Sequence, residues 1–192
     1  DRSSAASDVY KRQLQYMLQV LPTRQLDVLH TWMGVEKSNK DFQGNEWAVE
    51  VKSSIGRKNK VTINGETQLD SNIFKHLILC HYSIERNNAN GLTLPQLIDG
   101  IENLLKYDQM ILNYFRARLM LAGYMPEDRT KYELRHYNIK KRDLYSVTSD
   151  FPRIVQDDLR KGVHDVTYTI MLDVCGSFLI SENKLLQIIK QL

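Results

Sequence analysis

The sequence has few features that stabilise a secreted or membrane protein. It contains two cysteines among 192 residues, Cys80 and Cys175, and each lies in an apolar stretch. A single thiol in such a stretch usually packs as a small hydrophobic side chain, so we interpret both as reduced core residues, with a disulfide or metal role as the alternative. Reduced cysteines are typical of a cytoplasmic protein. The apolar runs 77–80 and 168–174 are far shorter than the roughly 20 residues that cross a bilayer, which argues against a membrane span.

The sequence also lacks a strong excess of charge of one sign. Its 26 basic and 23 acidic residues give a formal net charge of +3, which permits a nucleic-acid partner but does not indicate one. The basic residues include two short clusters: Arg57, Lys58 and Lys60, and then Lys140, Lys141 and Arg142. Each cluster is either a phosphate-binding surface or an ordinary solvated face.

The first residues, 1–13, differ in character from the rest of the chain. The chain does not begin with Met, and this run is similar to translated adaptor sequence at the ends of metagenomic fragments. We therefore interpret it as a non-native leader and expect native sequence from about Leu14. On this interpretation the chain is the C-terminal part of a longer protein.

The spacing of apolar residues predicts a mixed α/β (α+β) protein with a large core. Predicted helices lie at 14–21, at 95–105 after the N-cap Thr93, at 109–122 and at 185–192. Predicted strands lie at 26–33, 41–43, 47–53, 61–63, 77–82, 132–136, 144–147 and 166–174. The region after Pro126 is thus expected to be rich in strands.

Two of these strands carry a candidate site. Glu50 and Lys52 are two residues apart on a predicted strand, so their side chains leave the same face. The segment 44–46 has the composition of a hairpin turn, and a hairpin centred there places Asp41 directly opposite Glu50. Two carboxylates in that position repel each other, which favours a divalent cation between them.

This arrangement would suit phosphodiester hydrolysis. Mg²⁺ prefers oxygen ligands, which the carboxylates of Asp41 and Glu50 and the carbonyl of Val51 would supply. A bound metal would acidify a water molecule, and Lys52 would orient that water and stabilise negative charge in the transition state. A Glu-x-Lys triplet is not specific, since chance alone gives about one in a chain of this size. A second triplet, 182–184, is interpreted as a solvated helix face, and a surface ladder of charges is the alternative for the first.

The site residues and their surroundings resemble the PD-(D/E)XK nuclease superfamily, in which an Asp on one strand is followed by Glu-x-Lys or Asp-x-Lys on the next. The resemblance is carried by Asp41-Phe42 and by Trp47-Ala48-Val49-Glu50-Val51-Lys52-Ser53-Ser54, and it is closest to an uncharacterised bacterial branch of restriction-endonuclease-like proteins. It continues through the stretches 66–70, 92–95, 122–124, 151–153 and 162–166.

The resemblance implies a restriction-endonuclease-like fold, a mixed sheet flanked by helices. It implies a nuclease-like core at 14–125 with its N-terminal part missing, and a β-rich C-terminal extension of the same unit at 126–192. Lys40 stands where the family motif has Pro. An acidic ligand from the first core helix would fall just before Leu14, in the run interpreted as a leader. Gln68 matches a Gln that several members place on the helix after the Glu-x-Lys strand, where it contacts the Lys or the phosphate; an exposed polar residue is the alternative.

The implied function is that of a Mg²⁺- or Mn²⁺-dependent DNA endonuclease acting in bacterial restriction or phage defence. Arg57, Lys58 and Lys60 follow the Glu-x-Lys strand and would contact DNA phosphates. Homodimerisation or restriction-system partner proteins are expected by analogy. The alternatives are an inactive DNA-binding or assembly module of the same fold and a purely structural domain with a charged hairpin. The histidines lack ligand spacing among themselves and are interpreted as structural.

Overall fold

The computed structural model describes residues 2–34, 38–56, 59–86 and 90–192, with side chains from Val9 onward. The α-helices in these residues are α1 Arg2–Val20, α2 Gln25–Thr31, α3 Leu94–Leu105, α4 Gln109–Leu121, α5 Arg129–Glu133 and α6 Glu182–Ile189. The strands are β1 Phe42–Gln43, β2 Trp47–Ile55, β3 Lys60–Asn64, β4 His76–Arg86, β5 Tyr137–Ser146 and β6 Thr167–Met171.

The main sheet has four strands in the order β1-β2-β4-β5. β1 is antiparallel to β2, β2 is parallel to β4, and β4 is antiparallel to β5. A separate antiparallel pair joins β3 to β6. The expected fold class is therefore confirmed: the chain is a mixed α+β protein whose four-stranded mixed sheet is flanked by helices, consistent with a restriction-endonuclease-like fold. None of the helices described is both long and apolar enough to cross a membrane.

The two faces of the main sheet are covered differently. On β2, Val49 and Val51 belong to a core formed with helices α1, α3, α4 and α6. Ala48, on the opposite face, belongs to a second core with residues of β3, β6 and the 65–70 turn. β4 is buried on both faces from 77 to 82, which explains its nearly continuous apolar sequence.

Helix α1 covers the predicted helix at 14–21 except for its last residue and ends before Pro22, as expected. It extends back to Arg2, so residues 2–13 are helical. Within this part, the Gln13 side chain contacts the main sheet: its Oε1 accepts a hydrogen bond from Tyr82 Oη at 2.9 Å.

Two predicted strands are wrong. The segment 26–33 is mostly helix α2, and its buried residues Val28, Leu29 and Trp32 follow helical spacing. Asp27, His30 and Thr31 interrupt its apolar residues, so the segment lacks the continuous apolar sequence of a buried strand. The segment 132–136 lies entirely before β5. Its first two residues belong to helix α5, where Arg129 Nε pairs with Glu133 Oε1 at 3.1 Å, an i,i+4 contact.

The other predicted elements are found with shifted ends. Thr93 caps α3 in a capping box with Gln96, and Gly123, at φ +83°, follows α4. Both Cys80 and Cys175 are free and buried, which confirms the interpretation of reduced core residues.

The link between α3 and the main sheet gives a test of the fold. Leu92 and Tyr137 exchange two backbone hydrogen bonds, at 2.9 and 3.0 Å, next to Gly91. A Cβ atom on Gly91 would lie 2.6 Å from the backbone nitrogen of Tyr137. We expect Gly91→Ala to lower the free energy of unfolding by about 1–3 kcal/mol, because backbone must move to admit the methyl group.

The matched control is Gly176→Ala. A Cβ atom at Gly176 would meet no other atom within 4 Å, so this change should alter stability by less than about 0.5 kcal/mol. Chemical denaturation of both variants measures the difference, and equal stabilities would contradict the close approach at Gly91.

Candidate metal and phosphodiester site

The hairpin that carries the candidate site has the register that the sequence predicts. Phe42 pairs with Val49 and Gln43 with Ala48, and the turn is closed by a 2.9 Å hydrogen bond from Gly44 N to Trp47 O. A Cβ atom on Gly44 would overlap the Trp47 indole, so the turn needs glycine there. Continued by one residue, this register brings Asp41 level with Glu50.

Asp41 is fixed through both its backbone and its side chain. Its carbonyl accepts hydrogen bonds from Met33 N at 2.9 Å and Gly34 N at 3.2 Å, in the segment after α2. Its Oδ2 accepts a 2.8 Å hydrogen bond from Val51 N on β2. Burial raises the pKa of the Asp41 carboxyl, while this bond and the charge of Lys52 act in the opposite direction.

Space remains beside the other carboxylate oxygen of Asp41. A Cβ atom built on Gly34 would lie 3.4 Å from Asp41 Oδ1 and 3.6 Å from Trp32 Nε1. Trp32 is fully buried, and within the described parts of the chain its indole N–H has no hydrogen-bond acceptor. The Trp32 indole N–H, a donor, and Asp41 Oδ1, an acceptor, thus both lie next to the space that a side chain at Gly34 would fill.

Glu50 lies on the face of β2 that carries Ala48, and only 3% of it is exposed. Its Oε1 is 2.7 Å from the ammonium nitrogen of Lys52. Burial raises the pKa of Glu50 to about 8, and the nearby charge of Asp41 adds to the increase, whereas Lys52 and Lys40 oppose the shift. The buried carboxylate therefore has an electrostatic demand for positive charge that its lysine neighbours do not fully meet.

Gln68 lies beside the same lysine. Lys52 Nζ donates a 2.8 Å hydrogen bond to Gln68 Oε1, which also accepts one from Asn64 N at 3.0 Å. Gln68 is in the turn between β3 and β4 rather than on a helix. The structure thus brings together four of the predicted site residues, Asp41, Glu50, Lys52 and Gln68, with Val51 between two of them.

Two neighbouring cations were not anticipated as site residues. Lys40 is 5% exposed, and its Nζ donates to Thr67 O at 2.6 Å and Gln68 O at 2.9 Å. Burial lowers the pKa of Lys40, an effect that the charge of Glu50 opposes. Arg153 donates to Leu69 O, the next carbonyl of the same turn. The sequence holds no signal for Lys40 beyond its place before Asp41, and Arg153 is marked only by lying in the 151–153 stretch of the family resemblance.

Beyond Lys52 the same face of the sheet continues as a polar row. Lys52 pairs with His81 on β4, and His81 pairs with Asp143 on β5. His81 Nε2 and Ser54 Oγ are 2.8 Å apart, and both side chains are buried. Burial lowers the pKa of His81 to about 4, so this histidine is neutral at pH 7.

The basic clusters differ in their surroundings. Lys60 is exposed at the start of β3, whereas Arg57 and Lys58 lie outside the described residues. The second cluster is engaged in ion pairs with acidic side chains: Lys140 with Glu85, Lys141 with Asp143, and Arg142 with Glu182. It therefore does not form a surface of unpaired positive charge.

The donor set fits a hard divalent cation. Asp41 and Glu50 offer two carboxylates whose mutual repulsion a cation would relieve, and Mg²⁺ commonly takes one or two carboxylates with water and phosphate oxygens. Among the described residues there is no group of three or more His, Cys, Asp or Glu side chains placed to hold a metal. A metal here would thus depend on two carboxylates, on the carbonyl of Val51 and on non-protein ligands.

Comparison with known sequences supports the interpretation of the hairpin. The sequence profile of the family described as "Putative PD-(D/E)XK family member, (DUF4420)" matches residues 15–173. Comparisons with curated proteins and with solved structures gave no match. The matched range includes the whole hairpin and the Gln68 turn and ends just after β6. Because it covers well over half of the sequence, the chain belongs to this PD-(D/E)XK family.

Proposed function

We propose that this protein is a Mg²⁺- or Mn²⁺-dependent DNA endonuclease that hydrolyses phosphodiester bonds. The observation that carries the proposal is the buried Glu50 carboxylate, which lies near Asp41 and is bridged by Lys52 to Gln68. Membership of a PD-(D/E)XK family supports a nuclease with a divalent metal and DNA as substrate.

Each residue has a role that its contacts support. Asp41, Glu50 and the carbonyl of Val51 would hold the cation, which when bound would supply an acidified water and neutralise charge on the phosphate. Lys52 lies on the same face as Glu50 and would stabilise negative charge on the phosphoryl oxygens. Gln68 would keep the Lys52 ammonium in place, since it accepts a hydrogen bond from it.

DNA would approach on the side of the exposed Lys60, with Arg57 and Lys58 adding contacts to phosphates. Homodimers are common among enzymes that cut both strands, so by analogy we propose a homodimer or a complex with restriction-system partner proteins. We place the protein in the bacterial cytoplasm, acting in restriction or phage defence.

A second candidate function is that of an inactive DNA-binding or assembly module. It is favoured by the lack of a third acidic side chain at the site within the described residues. Cleavage and metal binding, measured separately, distinguish the two functions.

The first prediction concerns cleavage. Plasmid cleavage by the full-length protein should require Mg²⁺ or Mn²⁺. Asp41→Ala should lower its rate by at least about 100-fold because Asp41 would hold the metal, and Lys52→Ala should do the same because Lys52 would stabilise developing negative charge. Lys184→Ala, in the exposed second Glu-x-Lys triplet, is the control and should cleave normally. Undiminished cleavage by both site variants would refute the assignment.

The second prediction concerns metal binding without DNA. Mn²⁺ titration followed by electron paramagnetic resonance should show a site that Glu50→Gln abolishes and Glu182→Gln leaves intact. Since the metal must displace a proton from Glu50, affinity should rise with pH up to about 8. Metal binding without DNA cleavage would favour the inactive module. If Glu50→Gln keeps both metal binding and cleavage, Glu50 is not a metal ligand.

The third prediction concerns stability of the metal-free protein. A carboxyl group with a raised pKa keeps its proton on folding, so the native state binds more protons than the unfolded state between pH 4.5 and about 8. The stabilisation of the folded state by the protonated Glu50 is therefore fully present below pH 4.5 and is lost as the pH rises through about 8. The free energy of unfolding should decline over this range. Glu50→Gln should weaken this decline, and saturating Mg²⁺ should also weaken it.

Urea unfolding at a series of pH values, with and without Mg²⁺, measures the effect. Glu46→Gln, a change at an exposed carboxylate on the same hairpin, is the control and should retain the decline of the unaltered protein. If the free energy of unfolding depends on pH in the same way in the unaltered protein and in Glu50→Gln, Glu50 does not have a raised pKa.

A further inference from the structure

The turn that carries Gln68 is tied to the residue before Asp41. Lys40 Nζ lies 2.6 Å from Thr67 O and 2.9 Å from Gln68 O, so one ammonium group bonds two successive carbonyls. Lys40 is 5% exposed, and a lysine is rarely buried to this extent unless its charge has a specific partner. These contacts join the hairpin to a turn that lies 27 residues farther along the chain.

The same turn places a side chain against Lys52. Gln68 Oε1 accepts hydrogen bonds from Lys52 Nζ at 2.8 Å and from Asn64 N at 3.0 Å. Its position therefore depends on the backbone at 67–68, which Lys40 contacts directly. The Lys40 ammonium thus donates its hydrogen bonds to the turn and not to Lys52. Lys40 can therefore affect the position of Lys52 by way of Gln68, which contacts both lysines.

We propose that Lys40 is a positioning residue that fixes the Thr67–Gln68 turn and, through Gln68, the ammonium group of Lys52. This inference rests on the proposed nuclease function, because that function gives Lys52 a role in cleavage. Lys40 thus stands where the family motif has Pro and couples the Asp41 hairpin to the Gln68 turn by hydrogen bonds.

The first arm of the test uses metal-free and DNA-free protein. Lys40→Met removes the ammonium group and keeps most of the apolar stem. We expect hydrogen exchange at the Asn64 amide, followed by NMR, to accelerate by about tenfold, because the acceptor Gln68 Oε1 is displaced. The amides of Val61 and Ile63 on the same strand should be unaffected, whereas general loosening of the strand would accelerate all three.

The second arm measures cleavage. Lys40→Met should lower kcat by about 10- to 100-fold, as is usual for a residue that orients a catalytic group, with KM for DNA within about twofold. In a Gln68→Ala background the same change should lower kcat by clearly less, because only the charge of Lys40 near Glu50 is then lost and no Gln68 amide remains to be positioned. Lys75→Met, at an exposed lysine, is the matched control.

Lys40→Arg, which keeps a cation able to donate to both carbonyls, should recover part of kcat. If Lys40→Met does not fold, Lys40→Gln takes its place, with the same direction of change in both arms. Unchanged exchange at Asn64, or equal losses of kcat with and without Gln68, would overturn the inference. If the unaltered protein cleaves no DNA, the proposed function fails, and exchange at Asn64 still decides whether Lys40 fixes the turn.

Discussion

The Glu50 carboxylate is the charge around which the rest of the site is arranged. It is almost fully buried on a strand of the main sheet, and a second carboxylate, Asp41, lies close enough to contribute to its raised pKa. An isolated charge in such a place costs several kcal/mol, so the group must either keep a proton or have cations close to it. Lys52 at 2.7 Å supplies one cation and Lys40 contributes a second favourable charge, yet the pKa stays raised. A divalent metal would satisfy this unmet demand for positive charge.

The fold provides this environment by changing the character of one sheet face along its strands. On that face, Ala48 and Leu79 belong to the core under β3 and β6, whereas Glu50 and Lys52 carry charge. The 65–70 turn joins β3 to the segment before β4 and brings Gln68 to Lys52. The Glu66 carboxylate accepts a hydrogen bond from Val166 N, so this turn is also fixed to the segment just before β6. Elements that are far apart in sequence therefore determine the position of a single ammonium group.

The hairpin could be predicted from the sequence because its signals are local. A glycine-containing turn and alternating side chains set the register, and the register sets which residues face each other. The role of Lys40 could not be predicted in the same way, because the carbonyls of Thr67 and Gln68 become its partners only through tertiary folding. The strand predicted in place of helix α2 is wrong because Asp27, His30 and Thr31 interrupt the segment, and its buried residues have the spacing of a short helix. Family resemblance supplied Gln68, for which the sequence pattern alone gave no structural reason.

The two Glu-x-Lys triplets show why the backbone, and not the residue order, gives the motif its chemistry. On β2, residues two apart leave the same face, and Lys52 Nζ comes within 2.7 Å of Glu50 Oε1 in a buried setting. At the start of α6, residues two apart point in different directions, and Glu182 pairs with Arg142 instead of with Lys184. Water screens the charge of the exposed Glu182, whereas Lys52 must balance the charge of a desolvated Glu50. A triplet that is common by chance thus becomes a candidate catalytic element only where a strand aligns it and a core desolvates it.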